Sequence, residues 1–155
     1  MPLNSGQIDK RIRAFTKICR QSGVRATHQR REIFREVART DEHPDAETIY
    51  KRVRKRMPTV SLDTIYRTLS LLEEKGLLKR LELFSGRTRF DANTQPHHHF
   101  ICTQCGLVRD FTSEQMDALA RPNEVRSWGE VRSVNVQLRG ICSACRAKGR
   151  RARAK

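Results

Sequence analysis

Apolar residues recur at Ile8, Ile12, Phe15 and Ile18. That spacing lines one face of an α-helix and predicts a helix over about 7–20, ended by Gly23. Thr27 is placed to cap a second helix that turns Ile33, Phe34 and Val37 inward. Asp45 reads as the cap of a third, over about 46–56, with Ile49, Tyr50 and Val53 inward, before Met57-Pro58 closes it. Ser61 caps a fourth: Val60 and Ile65 hold the two positions of a hydrophobic staple. Leu62, Ile65, Leu69 and Leu72 form its buried stripe, and Gly76 is its stop. Residues 77–83 and 88–91 then read as two strands around the turn Ser85-Gly86-Arg87. Helices followed by such a hairpin outline a winged helix-turn-helix.

After Pro96 the texture changes. Residues 98–102 and 107–111 are strand-like and joined by a tight turn containing cysteine. Ser113 starts a short helix to about Ala120, Arg121-Pro122-Asn123 breaks it, and the alternation Val131, Val134, Val136, Leu138 predicts a strand over 131–138. The expected class is α+β: a winged-helix domain over 1–92, a hinge at 93–96, a small α/β domain over 97–145, and a basic tail over 146–155.

Composition supports two small cores over one large one, with apolar residues at 37% and aromatic residues at 6% of 155. The net charge of +15 points to a polyanionic partner such as nucleic acid. It is unevenly spread: residues 1–94 carry 21 Lys/Arg against 12 Asp/Glu, residues 95–145 are balanced at 5 against 5, and the tail carries 6 basic and no acidic residues. No apolar run reaches the roughly 20 residues of a membrane span, and the polar start lacks a signal-peptide core. A cytoplasmic protein without a membrane partner is expected, with its thiols reduced.

That setting makes the cysteine pairs read as metal ligands. Cys102-Thr-Gln-Cys105 and Cys142-Ser-Ala-Cys145 supply four thiolates, the set that Zn²⁺ takes in a closed structural site. The 36 residues between the pairs suit a staple across a whole small domain better than a compact ribbon. Cys19, alone in the first helix, reads as a small buried hydrophobe.

The histidines form a second group. His43 precedes Pro44, whereas His97, His98 and His99 follow the domain boundary. Alternate residues of a strand share a face, so His97 and His99 point together and His98 away. Asp91 lies just upstream and Asp110 on the next strand. Three imidazoles and two carboxylates make a donor set without sulfur, suited to Fe²⁺, Mn²⁺, Zn²⁺ or Co²⁺. On spacing alone a solvated histidine run remains an alternative.

Taken together, these residues resemble the ferric uptake regulator (Fur) family. The resemblance rests on Gly23-Val-Arg-Ala-Thr-His-Gln-Arg30, Glu42-His-Pro-Asp-Ala-Glu-Thr-Ile-Tyr50 and Val60-Ser-Leu-Asp-Thr-Ile-Tyr-Arg-Thr-Leu69. It continues through Arg89-Phe-Asp91, His97-His-His-Phe-Ile-Cys-Thr-Gln-Cys-Gly106 and Gly140-Ile-Cys-Ser-Ala-Cys145, so that it spans roughly 20–145. It implies a homodimeric, metal-activated repressor whose N-terminal winged helix reads a double-stranded DNA operator and whose C-terminal domain dimerises. It implies a regulatory Fe²⁺ or Mn²⁺ site at His43, Asp91, His97, His99 and Asp110, and structural Zn²⁺ at Cys102, Cys105, Cys142 and Cys145.

Two aspartates among those ligands resemble the peroxide-sensing (PerR-like) branch, in which Fe²⁺ directs oxidation of a ligand histidine, His43 or His97 here. Val134 stands where iron sensors often carry a further histidine, whereas Tyr66-Arg67 resembles the reading head of iron-uptake members, and iron sensing without a peroxide response is the alternative. The DNA-facing residues of the fourth helix are Ser61, Thr64, Tyr66, Arg67 and Thr68. The family adds Arg25 at the minor groove, while Lys79, Arg80, Arg87 and Arg89 reach phosphates from the wing. The run 51–56 reads as a solvated basic face. No catalytic nucleophile motif and no organic-substrate site is expected. A metalloenzyme, or a zinc-ribbon scaffold with idle histidines, are the rivals of a different class.

Overall fold

The computed structural model describes residues 3–82 and 86–153, without the side chains of Glu82 and of residues 150–153. The chain divides into two compact units, Met1–Thr94 and Gln95–Lys155.

The first unit contains α1 (Ser5–Gln21), α2 (His28–Ala38), α3 (Ala46–Arg54), α4 (Leu62–Glu74), β1 (Lys79–Glu82) and β2 (Thr88–Asp91). Each helix start is set by a side chain that accepts an N–H otherwise left without a helical partner. Thr27, Asp45 and Ser61 do this for α2, α3 and α4 as expected. For α1 the cap is Asn4, which exchanges hydrogen bonds with Gln7 in a reciprocal box, so the helix begins two residues earlier than its apolar stripe suggests. Gly76, at φ +69, supplies the left-handed residue that ends α4.

One apolar cluster joins Phe15, Ile33, Phe34, Val37, Ile49, Val53, Val60, Ile65, Leu69 and Leu72 with Leu77, Leu78 and Phe90, and Phe15 stacks on Phe34 at 5.0 Å between centroids. Cys19 lies in this cluster, where burial pushes its thiol pKa up. Leu62 and Tyr50 are only partly buried. Leu77 and Leu78 turn into the core, so the strand expected from 77 begins at Lys79; β1 pairs antiparallel with β2 from Lys79↔Asp91 to Glu82↔Thr88. Leu83 and Ser85, from the expected strand end and turn, lie outside the described residues.

The run 51–56 is not simply solvated. Glu36 of α2 is 0% exposed, and Arg56 donates to its carboxylate and, at 3.2 Å, to that of Glu32. Arg39 lies 3.3 Å from Glu36 as well. A buried carboxylate without a cation is strongly unfavourable, so Arg56 ties the end of α3 to the middle of α2.

The second unit contains β3 (His98–Cys102), β4 (Val108–Phe111), α5 (Glu114–Asp117), α6 (Asn123–Trp128), β5 (Gln137–Gly140) and α7 (Ser143–Arg153). Its sheet runs β4-β3-β5, with β3 antiparallel to β4 and parallel to β5. A parallel neighbour requires a long crossover, which α5 and α6 provide. Two expectations are corrected here, and the tail gains a conformation. The strand predicted over 131–138 forms at Gln137–Gly140, because its register is set by pairing with His99–Cys102 and not by its own alternation. The helix expected to about Ala120 ends at Asp117, well before Pro122, which instead stands at the N-cap of α6. The basic tail is helical as far as Arg153, continuing from the second cysteine pair. No helix among the described residues is long and apolar enough to cross a membrane.

Candidate metal centres and DNA-reading face

The four thiols of the second unit come from a strand end and a helix start. Cys102 closes β3, Cys105 follows in the turn to β4, Cys142 precedes α7, and Cys145 sits in its first turn. Gly106, at φ +70, lets the first turn fold back, and its N–H donates to the Cys102 carbonyl at 3.0 Å. The four sulfurs all lie within 4.8 Å of one another.

Cys105 and Cys142 are 3.8 Å apart, far beyond the ~2.05 Å of a disulfide. That distance matches the ~3.8 Å edge of a tetrahedron with ~2.3 Å zinc–sulfur bonds. The Cys142 amide donates to Cys102 Sγ at 3.3 Å, and the Cys145 amide to Cys142 Sγ at 3.5 Å. Backbone donors from Cys142 and Cys105 bring the Cys102 thiol down to about 6, whereas the thiols of Cys142 and Cys105 beside Cys145 push it up to about 12. Crowded sulfurs that share protons unequally are chemically suited to a dication that binds all four as thiolates.

The second donor set falls into two parts, one in each unit. In the first unit, His43 Nε2 lies 3.8 Å from Asp91 Oδ2, both side chains being buried. His43 adopts φ +52, an uncommon conformation for a residue with a Cβ. Arg89 holds it from outside: its Nη1 donates to Glu42 O and His43 O, each at 3.3 Å. The Asn93 amide donates to Asp91 Oδ1 at 2.6 Å, orienting that carboxylate.

In the second unit, His97 and His99 present their Nε2 atoms 3.0 Å apart, and Asp110 Oδ1 lies 3.7 Å from the first and 3.5 Å from the second. Two nitrogens at right angles around an ion ~2.1 Å away would be ~3.0 Å apart, so the spacing fits ligation. His97 Nδ1 donates to the Gln95 carbonyl at 2.7 Å. A carbonyl only accepts, so a neutral His97 carries its proton on Nδ1 and offers a lone pair at Nε2, the outer support that a metal-binding histidine needs. Asn135 adds a bond from Nδ2 to the His97 carbonyl at 3.3 Å.

His98 faces the other way, as strand alternation requires. It is fully buried, accepts the Val136 N–H through Nδ1 at 3.2 Å, and directs Nε2 to Asp117 at 3.2 Å. The supporting roles of Gln95, Asn135 and Val136 have no local sequence signal, since the parallel β5 that brings two of them in is a long-range pairing.

On α4, Tyr66 is 49% exposed, and the Arg67 side chain, paired with Asp63 at 2.9 Å, is also exposed. Ser61 is exposed as the cap, and Thr64 is half-buried. Thr68 departs from the expectation: it is 6% exposed, because it follows Ile65 by three positions and precedes Leu72 by four, on the packed face. Arg25 is exposed beside the start of α2. On the wing, Arg87 stays exposed, whereas Arg80 pairs with Glu73 at 2.7 Å and Arg89 is taken up by the His43 loop. His28 is exposed in the first turn of α2.

A winged-helix unit with an exposed reading helix, joined to a sheet unit with a sulfur cluster and a nitrogen–oxygen cluster, defines a metal-dependent DNA-binding regulator. The chain belongs to the ferric uptake regulator family, which it matches over residues 21–139. It is 32% identical over 142 residues to the peroxide-responsive repressor PerR of Staphylococcus epidermidis, covering 92% of this chain and 95% of that protein. It is 35% identical over 129 residues to the PerR of Staphylococcus aureus, covering 83% and 87%. Among solved structures, the peroxide stress regulator of Campylobacter jejuni is similar with a TM-score of 0.67 and 26% identity, covering 84% of this chain and 98% of that one.

Proposed function

We propose that this protein represses transcription from a DNA operator while an exchangeable Fe²⁺ or Mn²⁺ is held by His43, Asp91, His97, His99 and Asp110, and that peroxide lifts the repression. It acts as a homodimer in the cytoplasm, with Zn²⁺ on Cys102, Cys105, Cys142 and Cys145 as a permanent staple. The reading assigns a DNA-reading domain to 1–92, a hinge to 93–96, a dimerisation and metal-binding domain to 97–145, and a basic tail to 146–155.

The observation that carries this reading is the division of the donors. His43 and Asp91 belong to the DNA-reading unit, and His97, His99 and Asp110 to the sheet unit. A single ion taking ligands from both would fix the angle between them. In a dimer that angle sets the separation of two reading helices, which must match the major-groove repeat of ~34 Å. The same linkage makes DNA strengthen metal binding, with a coupling of roughly 1–3 kcal/mol. Ser61, Thr64, Tyr66 and Arg67 would read the groove, Arg25 would enter the minor groove, and Arg87 would reach phosphate. The outer edge of β5 and the exposed Leu138, Ile141 and Trp128 would serve the dimer.

Fe²⁺ held there would activate peroxide, so that one oxygen is placed on an imidazole, which is oxidised, and the other leaves as water. What the chain would add is an imidazole to be oxidised, His43 or His97, and ligand loss that follows from its lower basicity. The test is operator binding by the zinc-loaded protein with Fe²⁺ or with Mn²⁺, before and after peroxide, followed by mass spectrometry. Loss of binding with Fe²⁺ only, and one added oxygen on His43 or His97, is the expected result. Binding retained after peroxide favours the iron-responsive alternative, for which the exposed Tyr66-Arg67 pair speaks. His43→Ala and Asp91→Ala proteins are expected to bind the operator only weakly, at the wild type's metal-free level, whether or not metal is added. Metal-independent binding by the wild-type protein leaves a zinc-stapled DNA binder.

A further inference from the structure

Arg89 and Asp91 are two apart on β2, so their side chains leave the same face of the strand. Asp91 lies 3.8 Å from the His43 ring, while Arg89 Nη1 donates to the carbonyls of Glu42 and His43, each at 3.3 Å. Between them the Phe90 N–H donates to the Pro44 carbonyl at 3.1 Å, and Arg89 bridges to Asp45. One short stretch of wing strand therefore grips the loop at a ring, at two consecutive carbonyls and at the two residues after them.

The loop needs this grip. His43 sits in the left-handed region at φ +52, and Pro44 after it has no N–H with which to anchor the backbone. Such a conformation persists only where the surroundings over-determine it. A guanidinium is the suitable clamp, because its fixed fork of donors can serve two acceptors at once.

We propose that Arg89 is a positioning residue for the exchangeable-metal site: it fixes the backbone of His43 so that the imidazole is presented beside Asp91. This rests on the regulatory reading above, and it gives Arg89 a task other than reaching phosphate. Arg89 does for the backbone of a ligand what the Gln95 carbonyl does for the His97 ring. Loss of such outer support typically costs 10–100-fold in metal affinity.

The experiment titrates zinc-loaded protein with Mn²⁺ by electron paramagnetic resonance, without DNA, and follows amide hydrogen exchange over 41–46 in the same protein before Mn²⁺ is added. Arg89→Gln is expected to raise the Mn²⁺ dissociation constant about tenfold and to speed exchange in 41–46, leaving exchange in α2 and α4 unchanged. Arg89→Lys, which keeps a charged donor nitrogen but on a shorter, freely rotating stem, recovers part of the affinity. Arg13→Gln, which removes an exposed cation of α1, behaves as wild type. The proposal is overturned if Arg89→Gln binds Mn²⁺ as tightly as wild type while His43→Ala loses it. It is equally overturned if the weaker binding comes with faster exchange throughout the unit, which marks general destabilisation. Failure of wild type and His43→Ala alike to take up Mn²⁺ overturns the regulatory reading itself, a pattern distinct from both.

Discussion

The unit up to Thr94 buries Phe15, Phe34, Ile33, Ile49, Ile65, Leu69 and Leu72 in one apolar cluster. The unit after it buries Ile101 and Val108, two cysteines and three histidines, while Leu119, Leu138, Ile141 and Trp128, the last 80% exposed, face outward. The first can be held by burial of apolar surface. The second has too little of it and is built to be completed by ions and by a second copy. The chain thus places most of its candidate metal donors where its core is thinnest, in positions that apolar side chains would otherwise fill.

Several perturbations sharpen this contrast. Removing zinc, or replacing Cys142 with Ser, should cost the second unit on the order of 10 kcal/mol of folding free energy, the scale of a structural zinc site. Circular dichroism and exchange should then show that unit melting while α1–α4 stay folded; one joint transition would erase the distinction. Ile65→Ala should lower the stability of the first unit by about 3–4 kcal/mol without changing zinc content, read from its thermal midpoint.

Arg56→Met should cost about 2–3 kcal/mol, because Glu36 is left buried with only Arg39 beside it. The partial exposure of Arg56 keeps the figure at the low end of the buried-pair range, and the double variant Arg56→Met with Glu36→Leu should recover most of the loss. Ser61→Ala should cost about 1 kcal/mol through the lost cap on the Thr64 amide, measurable in urea and confined to the first unit.

The first unit was the more legible of the two. Its helices are local objects: Thr27, Asp45 and Ser61 announce their starts, and period 3.6 names the buried face. Period alone also places Thr68 with Ile65 and Leu72, so its burial was readable and lost only to its polarity. The Glu36–Arg56 tie was not readable, since 20 residues separate its partners. In the second unit the spacing of the cysteines and histidines picked out candidate donors, and strand alternation separated His98 from its neighbours. What stayed hidden was set by a parallel pairing across the whole unit: where β5 starts, and which backbone groups brace His97 and His98. The wing taught the reverse lesson. Composition offered Arg80 and Arg89 as surface cations, and the fold recruited both for internal contacts.

His97 and His99 flank the start of the middle strand of a three-stranded sheet, whereas Asp110 belongs to the edge strand β4 and is 22% exposed at its side chain. The imidazoles are thereby anchored and the carboxylate is the adjustable corner. If the cluster holds the exchangeable ion as proposed, Asp110→Glu would lengthen that corner and shift which ion is preferred with little disturbance to the scaffold, so a single substitution at an outer rim would redirect what the molecule senses.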